Sequence, residues 1–117
     1  MAREEFKART KAFALRVIKV VDALPRDTVA KTLGHQLLRS GTSLAANYRA
    51  SVRAKSPADF VSKMGPVEEE CDESLLWMEL LIDSGRMKPD RLADLMRERG
   101  EILAITVASI KTARRGK

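Results

Sequence analysis

Pro25, Pro57 and Pro89 cut the chain into four stretches, and within each the apolar residues recur every three or four positions. Proline is tolerated in the first turn of a helix, and it pushes the residue before it out of the helical region. Phe6, Phe13, Val17, Val20 and Leu24 form one stripe that Pro25 terminates, with Ala14, Ile18 and Val21 beside it. Asp27 or Thr28 is placed to cap a second helix, which reads to about Ala54. In Lys55-Ser56-Pro57-Ala58-Asp59, Ser56 is an N-cap, Pro57 takes the first helical position, and Asp59 completes a capping-box-like pair. Gly85 closes that third helix and Pro89 opens a fourth, which carries Leu92, Leu95, Met96, Ile102, Leu103, Ile105 and Ile110.

The expected helices are therefore about 3–24, 28–54, 57–84 and 89–113, in a single domain spanning residues 1–117. Short turns between long helices make sequential neighbours antiparallel, which is an all-α, up-down four-helix bundle. Aromatic residues at 4% are too few for a sandwich or barrel. Two places conflict locally with this reading. Gly34 and Gly41 fall inside the second helix, where close packing against a neighbour would explain them. Gly65-Pro66 falls inside the third, where the lost backbone donor predicts a bend.

Charge is sorted along the chain. Residues 1–55 hold twelve Lys/Arg and four Asp/Glu, residues 56–84 hold one Lys and eight acids, and residues 85–117 hold nine basic and four acidic residues. The third helix is an acidic element in a protein of net charge +6, placed to neutralise basic neighbours within or between subunits. On the second helix, His35, Arg39, Thr42, Ala46, Arg49 and Arg53 step by four and three and share one stripe. At 1.5 Å per residue that stripe is roughly 27 Å long. Leu33, Leu37, Gly41, Leu44, Tyr48 and Val52 lie opposite and are expected in the core. Arginine forks suit phosphates, and they suit the carboxylates of Glu69, Glu70, Asp72 and Glu73 equally well.

Several functions are disfavoured by what the chain lacks. Its one cysteine, Cys71, allows no internal disulfide, and its one histidine, His35, allows no multi-histidine metal site. No phosphate-loop, dinucleotide or nucleophile-elbow motif occurs. Cys71 falls on the apolar stripe with Phe60, Met64, Val67, Leu75, Met78 and Ile82, so it reads as packing. Neither catalysis, nor a metal, nor a cofactor is expected. No apolar run long enough for a membrane span and no secretory pattern at Met1 to Glu5 is seen, which predicts a cytoplasmic protein.

From Leu75 to Ile82, seven of eight residues are apolar, more than one face of a small bundle can bury. Leu76 and Leu80 point away from the Cys71 stripe and Trp77 lies to the side, and a subunit interface is expected at these three.

The run Ser43-Leu-Ala-Ala-Asn47-Tyr48-Arg49-Ala50-Ser51-Val-Arg53-Ala54-Lys55-Ser56-Pro-Ala-Asp59-Phe60, continued by Val67-Glu68-Glu69-Glu70-Cys71-Asp72-Glu73-Ser-Leu-Leu-Trp77-Met-Glu79-Leu-Leu, resembles a bacterial family of four-helix bundles. These are the 23S rRNA intervening-sequence proteins, also called S23 ribosomal proteins. Leu24-Pro25 and Gln36-Leu37-Leu38-Arg39-Ser40 fit the same pattern, so the resemblance covers nearly the whole chain. It implies a ring-like homo-oligomer, typically a pentamer. It also implies kinship with the accessory variability protein of diversity-generating retroelements, which binds nucleic acid and a reverse transcriptase. The matching positions are Asn47, Tyr48, Arg49, Arg53 and Ser56, then Glu68, Asp72 and Glu73, then Trp77, Glu79 and Leu80. Ala50 departs from the pattern where a Glu is common, and Pro66 where the helix is usually regular.

The expectation drawn from residues and resemblance together is a non-enzymatic, oligomeric scaffold that binds RNA or DNA through a basic surface. Arg39, Arg49 and Arg53 are its centre, with Lys31, His35, Lys55, Arg114, Arg115 and Lys117 as additions. The competing expectation is an adaptor whose basic and acidic helices pair with each other or with a protein partner.

Overall fold

The computed structural model describes residues 1–116, which form four helices. They are α1 (Arg3–Asp22), α2 (Thr28–Ser51), α3 (Pro57–Asp83) and α4 (Pro89–Gly116). Each start follows from its first residues. The Asp27 carboxylate accepts a hydrogen bond from the Ala30 N–H at 2.9 Å, and the Ser56 hydroxyl accepts one from the Asp59 N–H at 3.0 Å. Asp59 reaches back to the Lys55 N–H at 2.9 Å, one residue before the position a strict capping box uses. After α3, Gly85 takes φ +79, and the Arg86 and Gly85 N–H groups bond to the Leu81 and Ile82 carbonyls. That is a Schellman closure, which glycine adopts without steric cost.

Three helix ends differ from expectation by more than a residue. α1 ends at Asp22, where the Ala23 and Leu24 N–H groups tighten onto carbonyls three residues back. α2 ends at Ser51, because Arg53 and Ala54 bond in the same tightened way and the chain must turn before the Ser56 cap. Arg53 therefore lies in the turn and not on the helical stripe. α4 runs on to Gly116, past the expected 113.

Phe6 meets Tyr48 edge-to-face at 4.7 Å between ring centroids, and near the far end of the same pair Gly34 lies against Leu24. α1 and α2 are thus antiparallel. Ser40 and Ser74 share a buried hydrogen bond of 2.8 Å between α2 and α3. An Arg99 Nη1 donates to the Cys71 carbonyl between α4 and α3, and Arg9 binds Glu98 between α1 and α4. Among the described residues the backbones of the diagonal pairs α1–α3 and α2–α4 stay farther apart than those of adjacent helices. The result is an up-and-down bundle 48 Å long and about 20 Å across.

Phe13, Val17, Leu37, Leu44, Met64, Val67, Met78, Leu81, Leu92 and Ile102 fill the core, with Cys71 fully buried among them. The close packing expected at both helical glycines is present, with Val17 against Gly41 and Leu24 against Gly34. α3 continues unbroken through Pro66. Pro66 and Ser62 are both exposed, so the carbonyl that loses its partner faces water.

Candidate nucleic-acid interface

The up-and-down path brings four chain segments to one end of the bundle: the start of α1, the end of α2 with its turn, the start of α3, and the end of α4. Arg3, Arg49, Arg53, Lys55, Lys111, Arg114 and Arg115 are all exposed there. Among the described residues none of the seven forms an ion pair. The acids nearby are three against seven basic groups, and of these Glu4 is exposed and unpaired among the described residues, while Asp59 and Glu5 are engaged. Asp59 is held by Lys63 at 2.7 Å and accepts from the Lys55 N–H, and both interactions keep its carboxyl below the ordinary range. Glu5 accepts from the Ala2 N–H at 3.1 Å. An uncompensated cluster of guanidinium and ammonium groups at one tip creates a positive field that a phosphate backbone complements.

The expected basic set is divided by this geometry. Arg49, Arg53, Lys55, Arg114 and Arg115 come together at the tip, while Lys31 and His35 lie near the opposite end of α2. Those two flank a groove of about 350 Å³ between α1 and α2, floored by Val21, Leu24, Gly34 and Leu38. Lys117 lies outside the described residues.

Arg39 is placed differently from the expectation. Its guanidinium spans to α3, with Nη1 3.3 Å from Glu70 and Nη2 in hydrogen-bond contact with Glu73, while Nε binds Gln36 at 3.0 Å. All three nitrogens have protein acceptors, so Arg39 is a helix-to-helix tie. The hydrogen bond that Arg39 donates to Glu73 raises the Arg39 pKa, while burial and the neighbouring Glu73 raise that of Glu70 despite the arginine. Arg3 and Lys111 join the tip although the helical stripe does not include them. Only the convergence of helix ends places them there, and a count of helix lengths in an up-and-down bundle would have found them.

On α3, Leu76 and Leu80 are 46% and 37% exposed, as expected of residues outside the core stripe. Trp77 is half-buried against the core, and its indole N–H is enclosed without a hydrogen-bond partner. Cys71 is enclosed too, and burial pushes its thiol up to about 12, far from a reactive thiolate. Among the described residues no group of three or more His, Cys, Asp or Glu side chains is placed to hold a metal ion. None of their helices is long and apolar enough to cross a membrane.

Fold and surface together define a basic, all-α four-helix-bundle protein. The family model for the 23S rRNA-intervening sequence protein matches residues 4–108, and the chain belongs to that family. It is also similar to a crystal structure from Bacteroides thetaiotaomicron, a protein of unknown function from the S23 ribosomal protein family. The two share 31% identity over 92% of this chain and 99% of the other, with a TM-score of 0.85. No curated protein matches the chain.

Proposed function

We propose that this chain is a non-enzymatic scaffold that assembles from several copies and binds nucleic acid through its basic tip. The observation that carries the reading is the convergence, from three helices and a turn, of seven exposed Arg and Lys residues with no ion pair among the described residues. In a pentameric ring, as the family resemblance suggests, each chain of net charge +6 adds to a common field. Among the described residues the aromatic rings at the tip are largely withdrawn, Phe6 and Tyr48 buried against each other and Phe60 partly buried against the core. Binding then rests on phosphates and shows little sequence preference. The family description names an intervening sequence of 23S rRNA, which makes structured RNA the first probe.

The experiment is a salt series with a labelled single-stranded RNA and a matched duplex, recording the mass of the assembly in each buffer. Affinity is expected to fall steeply with salt and to drop in Arg49→Glu/Arg53→Glu, while the mass stays unchanged. Equal affinity in that double variant removes the tip from the reading.

The adaptor reading is favoured by one observation, the pairing of Arg39 with Glu70 and Glu73, where basic α2 neutralises acidic α3. Absence of RNA binding by an intact assembly at low salt selects it. The kinship expected with the accessory variability protein makes a reverse transcriptase the protein partner to try first.

A further inference from the structure

Five large aliphatic side chains beyond Met1 stand exposed among the described residues, and four of them sit on two helices diagonal to each other in the bundle. Leu15 (53%) and Ile18 (38%) lie on the outer face of α1, and Leu76 and Leu80 on the outer face of α3. The surroundings of the two pairs are mainly of opposite sign, with exposed Asp22, one turn beyond Ile18, the acid on the α1 side. Exposed Lys11, Arg16 and Lys19 border the α1 pair, and exposed Glu69, Asp72, Glu79 and Asp83 border the α3 pair. None of these seven charges forms an ion pair within the chain among the described residues. The rest of helix three's acidity is partly spent internally, on Arg39 and Lys63.

We infer that the outer face of α3 docks on the outer face of α1 of a second copy, with the two helices parallel. This rests on the assembling-scaffold reading above and assigns the surfaces through which the copies meet. α1 and α3 both start at the basic tip, so they run in the same direction. Along that direction α3 presents Asp72, Leu76 and Leu80, and α1 presents Lys11, Leu15 and Ile18. The order is the same on both faces, a charge followed by two aliphatics, and the charges are opposite. One register therefore sets Asp72 against Lys11 and Leu76 against Leu15. A two-fold contact of α3 with α3 instead brings carboxylates together, and α1 with α1 brings lysines together. The faces occupy opposite corners of the bundle, so each copy binds one neighbour on each side. That is a heterologous contact, which produces rings or open chains and never a closed pair.

The test is the mass in solution, by light scattering and sedimentation, of the full chain and of Lys11→Glu, Asp72→Lys and the double variant, with helicity checked by circular dichroism. The wild type is expected to exceed two copies. Each single reversal is expected to lose mass toward one copy while staying folded, and the double variant, whose charges are merely exchanged, to regain it. Wild-type mass in both single variants overturns the inference and leaves assembly through another face. A monomeric or two-copy wild type overturns it as well. RNA binding by the folded, dissociated single variants separates the cases: binding retained there keeps the basic tip whatever becomes of the interface. A second measurement uses cysteine pairs, because Cys71 is buried and silent. Mixed Leu15→Cys and Leu76→Cys chains are expected to cross-link on oxidation, and neither alone. A cross-link formed by either alone overturns the inference.

Discussion

Val17 lies directly over the backbone of Gly41. A Cβ added to Gly41 would meet Val17 Cγ2 at 2.9 Å, Cγ1 at 3.0 Å and Cβ at 3.2 Å. The β-branched side chain has one preferred rotamer in a helix and little room to yield. Gly41→Ala is therefore expected to destabilise the bundle by about 1–3 kcal/mol, overpacking outweighing the gain in helix propensity. Gly34 is the contrast. Its nearest neighbour is the tip of Leu24, a flexible terminus, at 2.8 Å. Gly34→Ala is expected to be close to neutral, and denaturation midpoints of the two variants compare them.

Arg39 and Arg49 separate stability from binding. Arg39→Ala removes the tie to Glu70 and Glu73 and is expected to cost on the order of 1 kcal/mol, since the pair is partly exposed. Its effect on RNA affinity is expected to be small. Arg49→Ala, with no ion-pair partner among the described residues, is expected to do the reverse. Denaturation and RNA titration on the same two proteins read both effects.

The Ser40 and Ser74 hydroxyls are fully buried and bonded to each other at 2.8 Å. Replacing either serine alone by alanine is expected to cost about 1 kcal/mol, because its partner loses a buried hydrogen bond. Replacing both is expected to cost less than the sum of the single losses, which a double-mutant cycle measures directly.

Acid stability follows from Glu98. The Arg9 guanidinium holds it by two hydrogen bonds, of 2.6 and 2.8 Å, and these keep its carboxyl below the ordinary value of 4.5. A depressed native pKa adds stability that is present above the unfolded value and is lost as pH falls through the native one. Glu98→Gln is expected to lower stability at neutral pH and flatten the acid limb. Glu70 acts in the opposite sense. Burial raises its pKa, so the native state takes up its proton first, and Glu70→Gln is expected to steepen the acid limb. Urea midpoints across the acid range test both signs.

Much of the fold was legible because local rules wrote it. Ser56, Pro57 and Asp59 set the start of α3 through backbone hydrogen bonds that any solvent-exposed chain can form. The stripe from Leu37 through Leu44 to Tyr48 marked the buried face of α2, because a period of 3.6 leaves one side for the core. Leu76 and Leu80 were legible as surface for the same reason. The end of α2 was not, since Val52, Arg53 and Ala54 are competent helix residues and only the reversal toward Ser56 takes them out. Trp77, at the side of its stripe, is half-buried against the core, and how far it turns inward is set by the packed neighbours.

The sequence by itself determined four helices, their order, their core faces and the segregation of acid into α3, all through interactions spanning a few residues. The tertiary structure decided which charges remain free. Arg39 and Arg49 are the same residue type on one face of one helix, and nothing local distinguishes them. Arg39 stands beside Glu70 and Glu73 of the neighbouring helix, while Arg49 stands at the tip, where helix ends converge and few carboxylates are free. Charge pairing acts over a few ångströms in space, and which residues come that close is settled only when the helices pack.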